Sequence, residues 1–85
     1  MKLSQVEDQA IQARMALIVG AKTFDRLFAG IRFDETDGSM LYAYAKNEDV
    51  ASEIEDEFSL HIATVASKII GREIELVVVM PKVLQ

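Results

Sequence analysis

Apolar residues recur along the first twenty positions at intervals that suit one side of a helix: Val6, Ala10, Ile11, Met15, Ile18 and Val19. In front of them, Ser4-Gln5-Val6-Glu7 is a capping box, in which a hydroxyl and a carboxylate reciprocally satisfy two backbone donors. Gly20 suits the left-handed position that closes a helix. Thr23 is expected as the N-cap of a second, shorter helix carrying Phe24, Leu27 and Phe28 and stopping at Gly30.

The period then changes from helical to twofold. Ile31-Arg32-Phe33 alternates, Asp34 to Gly38 reads as a turn, and Ser39 to Ala45 alternates again, which predicts a hairpin. Met40, Tyr42 and Tyr44 fall on one of its faces and Leu41, Ala43 and Ala45 on the other, so both faces are expected to be partly covered. Asn47 is a good N-cap, and Glu48 and Asp49 follow where the helix dipole favours anions. Val50, Ile54, Phe58, Ile62, Val65 and Ile69 then keep one face of a helix of roughly 22 residues, about 33 Å long, which Gly71 ends. A final strand is expected from Glu73 to Met80, with Ile74, Leu76, Val78 and Met80 toward the helices and Val77 and Val79 outward, until Pro81 stops it.

The predicted order is α-α-β-β-α-β, an α+β fold. The hairpin must be antiparallel, and the helical crossover allows the third strand a parallel partner, so a three-stranded sheet with helices packed on it is the economical solution. No linker or repeat divides the 85 residues, and residues 1–85 are expected to form a single domain.

Composition narrows the possibilities further. An apolar fraction of 51% with 27% charged residues is that of a globular domain. The absence of cysteine excludes disulfides, thiolate metal sites and a cysteine nucleophile. No signal-peptide pattern opens the chain, and its longest apolar runs fall far short of the roughly 20 residues of a membrane span. The expected location is the cytoplasm. The net charge of −5 is unevenly spread. Residues 34–57 hold nine Asp/Glu against one Lys, while the segments on either side are weakly basic. Such a block opposes general nucleic-acid binding, which relies on neutralising phosphates.

Candidate chemistry is thin. His61 is the only histidine; it falls inside the apolar stripe of the long helix and is expected as a core or boundary residue. Glu48, Asp49, Glu53, Glu55, Asp56 and Glu57 lack the glycine-turn pattern of a calcium loop and read as a solvated helix face that steers basic partners. Glycines are isolated, so no phosphate-cradling loop is present. We therefore expect no catalytic residues, no metal and no cofactor: a binding protein, not an enzyme.

Three stretches carry a family resemblance. They are Thr23-Phe24-x-x-Leu27-Phe28 with the Asp37-Gly38 turn, Leu41 to Val50, and Ile62-x-x-Val65-Ala66-x-x-Ile69-Ile70-Gly71-x-x-Ile74. In order and spacing they resemble the N-terminal domain (domain I) of the bacterial replication initiator DnaA, over roughly residues 4–80. The resemblance implies a KH-like fold and an interaction module in replication initiation. Its partners would be the replicative helicase DnaB, DnaA itself, or regulators of DnaA. By the same resemblance, Thr23, Phe24, Arg26, Leu27, Asn47, Glu48 and Asp49 would form the partner-binding patch, and Val6 and Ala10 would serve self-association on the first helix. Lys46 stands where that family carries proline, and Glu48 and Asp49 stand where a basic and an aromatic residue are common. With no ATPase or helix-turn-helix part in these 85 residues, the chain resembles a free-standing initiator-domain paralogue of the HdaB kind.

Three other readings belong beside this one. The helicase loader DciA has a KH-like domain of similar order. A KH-like module using Arg14, Lys22, Arg26 and Arg32 would bind single-stranded nucleic acid weakly. A homodimeric domain would use Val77 and Val79, or the first helix, as its interface.

Overall fold

In the computed structural model, which describes residues 1–82, the capping box is formed in full. The Glu7 amide donates to the Ser4 hydroxyl at 3.1 Å, and the Ser4 amide donates to the Glu7 carboxylate at 2.8 Å. Helix α1 (Gln5–Val19) starts there. Its inward face is narrower than predicted: Ile11 and Met15 are buried, whereas Val6 and Ile18 are exposed. The helix packs chiefly on the long helix that follows the hairpin, with smaller contacts to the next helical segment and the first strand, so a narrow apolar strip suffices.

Gly20 joins α1 to the next helix by itself. With φ +88° and ψ 162°, it donates to the Ala16 carbonyl and accepts from the Phe24 amide, both at 2.9 Å. A side chain is strained at that φ. The second helix, α2 (Ala21–Thr23), begins three residues earlier than predicted, with Gly20 and not Thr23 at its N-cap, and it runs on as a π-helical turn (Phe24–Phe28). Thr23 is helical and caps nothing.

The sheet contains β1 (Arg32–Asp37), β2 (Met40–Ala45) and β3 (Leu76–Pro81), in the order β1-β2-β3. Strands β1 and β2 are antiparallel; β2 and β3 are parallel. The fold is thus α+β with a mixed three-stranded sheet and the helices packed on it, as predicted. The polar stretch Asp34 to Asp37 is strand, not turn, and only Gly38 and Ser39 lie between the two strands. Its outer edge is occupied: Leu3 N donates to Asp34 O and Thr36 N to Met1 O, both at 2.8 Å, with Lys2 opposite Glu35. A bulge between Phe33 and Glu35 allows Phe33 and Thr36 to face inward together.

Helix α3 (Glu48–Ile70) carries the chain back across the sheet. The Val50 amide donates to Asn47 Oδ1 at 2.9 Å at its start, and Gly71, left-handed at φ 79° and ψ 24°, closes it. Ser67 ties this end to β3: its hydroxyl donates to Ala63 O at 2.7 Å and accepts from Ile74 N at 2.9 Å. His61 is exposed, contrary to the sequence expectation. The buried face turns along α3 as its neighbours change, from Ala51 and Ile54 to Ile62, Ala63, Val65 and Ala66.

Strand β3 corrects a second expectation. Val77 and Val79 are 2% and 8% exposed and belong to the core, so they form no outward interface. Leu76, Val78 and Met80 point away from the helices. The expected alternation ran from Glu73, but the strand starts at Leu76, after an irregular step in which both Glu75 N and Leu76 N donate to Ser39 O. That step shifts the parity by one.

Seven buried sheet residues face the helices: Phe33, Thr36, Leu41, Ala43, Ala45, Val77 and Val79. Phe28 and the aliphatic residues Ile11, Met15, Leu27, Ile54 and Ile62 fill the space above them. Among the described residues, the Thr36 hydroxyl is buried without a hydrogen-bond partner. Thr36→Val keeps the shape and removes that unpaired group, so it should stabilise the protein by about 1 kcal/mol in urea unfolding with an unchanged m value. Asp8 acts in the opposite sense. Its Oδ1 accepts from Phe33 N at 2.8 Å and from Gln12 Nε2 at 3.1 Å. Asp8→Ala orphans a strand amide and should cost about 1–3 kcal/mol in the same measurement.

Candidate functional site

The residues of the expected partner patch come from two places in the chain. The π-turn supplies one part. Its wider winding sends Leu27 and Phe28 into the core and leaves Phe24 half-buried, stacked on Phe28 with ring centroids 5.6 Å apart and planes at 9°. Phe28 in turn meets the edge of Phe58 on α3, at 5.7 Å and 66°. Leu27 is only 1% exposed, so it supports the patch from beneath and presents no surface to a partner.

The start of α3 supplies the other part. Asn47, Glu48 and Asp49 are exposed, and the Asn47 side chain is committed to capping. Glu53, one helical turn beyond Asp49, joins the two parts. Arg26 reaches it in a two-point pairing, with Nη1 to Oε1 at 3.2 Å and Nη2 to Oε2 at 3.1 Å. Thr23 and Phe24 are half-buried within the segment that this ion pair holds beside α3. The result is a partly apolar ledge with carboxylates at one side. The Arg26 charge is spent on Glu53, which leaves Glu48 and Asp49 to set the sign of the field there.

Val6 and Ala10 lie apart from this ledge, on α1. Val6 is 76% exposed, and with Ala10, Ala13 and Leu17 it makes a stripe at intervals of four, three and four residues. Leu17, 80% exposed, belongs to the apolar run from Met15 to Val19 at the end of the first helix, which exceeds what one helix face needs and is expected as a contact surface.

The basic residues of the nucleic-acid reading do not share one surface. Arg14 lines a groove with Leu17, Ile18, Thr64, Val65 and Lys68, whereas Arg32 lines a depression of about 520 Å³ with Lys2, Asp34, Tyr44 and Lys82. In that depression Asp34 lies between Lys2 Nζ at 2.8 Å and Arg32 Nε at 3.5 Å. The Asp34 hydrogen bond holds the Lys2 ammonium above its usual pKa, so it stays charged across the neutral range.

Among the described residues, no three His, Asp or Glu side chains gather in a way that could hold a metal ion. No described helix is long and apolar enough to cross a membrane. The outward residues of β3 were missed from the sequence altogether. Leu76, Val78 and Met80 stand opposite Met40, Tyr42 and Tyr44 in the parallel register and extend the outward row of the hairpin across two strands. Compared with models of known protein families the chain matches none, and no curated protein sequence is significantly similar to it.

Proposed function

We propose that this chain is a protein-binding module of bacterial replication initiation, which engages a replicative helicase or an initiator through the ledge formed by the π-turn and the start of α3. The observation that carries this reading is the Arg26–Glu53 pairing. It holds the apolar Phe24 segment and the acidic Asn47-Glu48-Asp49 segment on one surface, although more than twenty residues separate them in the chain. The α-α-β-β-α-β order and the motif spacing shared with DnaA domain I support the same reading. So does the stripe of Val6, Ala10, Ala13 and Leu17, whose central alanines let a partner helix approach closely, as pairing with an initiator's equivalent domain requires.

Glu48 and Asp49 select a partner with a basic surface. Such a contact gains in encounter rate and specificity from the charges and weakens as salt rises. The Phe24 ring supplies the apolar anchor around which the rim acts.

Capture of purified helicase and purified initiator by the immobilised protein tests the proposal. At least one should be retained at low salt and released as salt rises. Asp49→Lys should weaken that retention roughly tenfold, since it places a like charge against a basic surface, while the lost helix-dipole interaction lowers the melting temperature by only a few degrees. Retention of neither protein under conditions that preserve the fold would remove the replication assignment.

A further inference from the structure

Among the described residues, only one face of the sheet is covered. The helices occupy the side of Leu41, Ala43, Ala45, Val77 and Val79. The opposite side carries Met40, Tyr42 and Tyr44 on β2 beside Leu76, Val78 and Met80 on β3, and no described element packs on it. Leu76 is 53% exposed and the other five are half-buried against one another, which makes one continuous apolar block and not scattered exposure.

Charge on the flanking strand β1 indicates what fits there. Arg32 stands opposite Tyr44 at one end of the face, and Asp37 stands opposite Met40 at the other. Arg32 meets Asp34 only through Nε, at 3.5 Å, and Asp37 has no ion-pair partner among the described residues. Between them Glu35 stands opposite Tyr42 and is paired with Lys2 at 3.4 Å, so the free charges of the row are cationic at one end and anionic at the other.

We propose that this open face pairs with the open face of a second copy of the chain, about a twofold axis in the interface that runs across the strands. Such an axis lays β1 over β1 with its direction reversed. Arg32 of each copy then faces Asp37 of the other, Tyr44 faces Met40, Met80 faces Leu76, and the Tyr42 rings meet near the axis, beside the two Glu35 carboxylates, each paired with its own Lys2. Sheets packed face to face lie about 10 Å apart, a gap that an arginine and an aspartate span together. A twofold axis along the strands would instead place Arg32 over Met80 and Asp37 over Leu76, stripping water from two charges without pairing them. Charge complementarity thus selects one arrangement. Three six-residue strands cover about 20 by 14 Å, so the pair buries roughly 600 Å² in total, at the weak, transient end of protein interfaces. The dimer should accordingly form and dissociate with concentration in the high-micromolar range.

Sedimentation velocity across that range is the test. The unmodified protein should pass from monomer to dimer, and Tyr42→Arg should weaken the dimer at least tenfold while keeping its circular dichroism and melting temperature. Arg32→Glu and Asp37→Arg should each weaken it, and the double variant Arg32→Glu/Asp37→Arg should recover it. Asp49→Lys should leave it intact, which separates this proposal from the partner ledge. The proposal is overturned if the protein stays monomeric throughout, or if the double variant is no better than the singles. It is also overturned if Val6→Glu abolishes the dimer and Tyr42→Arg does not, since the interface is then α1. A labelled single-stranded oligonucleotide provides the last arm: binding that Tyr42→Arg abolishes, to a protein that remains monomeric, would make the face a base-stacking platform instead.

Discussion

A parallel neighbour for β2 can be reached only by carrying the chain from one end of the sheet to the other, and the rest of the molecule is arranged around the helix that does so. Twenty-three residues of α3 extend about 34 Å, whereas a six-residue strand covers about 20 Å. The helix therefore overshoots the sheet. Its first turns receive the π-turn, through Glu53 and Phe58, and its last turns receive α1, through Val65 and Lys68. Without that overshoot neither short helical element would have a surface to rest on.

The same layout handles the two edges that a three-stranded sheet leaves open. On the β1 side, residues 1–3 pair with Asp34 and Thr36, and Asp8 accepts from the Phe33 amide. On the β3 side, α3 reaches over with Glu55, whose Oε2 accepts from Val79 N at 2.9 Å, and Pro81 offers no amide at all. Unpaired edge amides invite another strand. Occupied ones direct association elsewhere, toward the ledge, the α1 stripe and the uncovered face.

Much of the fold was legible because its signals are local. A capping box at Ser4, an N-cap at Asn47 and a glycine at 71 each act within a few residues, and each stands where it was expected. Pro81, expected as the stop after Met80, is instead the last residue of β3, paired with Ala45. What failed depended on long-range partners. Asp34 to Asp37 looks like a turn until residues 1–3 are seen to pair with it. Residues 76–80 are apolar on both parities, so their phase was set by extrapolating from Glu73 and Glu75, and the kink before Leu76 broke that extrapolation. For the candidate site, Asn47, Glu48 and Asp49 were found at the surface, but Leu27 was not, because it lies on the apolar face that its turn buries in the core. The Arg26–Glu53 pair spans 27 positions and left no local trace.

That π-turn also affects how the segment should be aligned with any relative. A π-helical turn spends one more residue per revolution than an α-helical one, so it amounts to a single-residue insertion recorded in geometry. A homologue with an ordinary α-turn between Phe24 and Phe28 would present the same surface one residue out of step. Matching the two correctly would need a gap inside the helix, where sequence comparison is least inclined to place one.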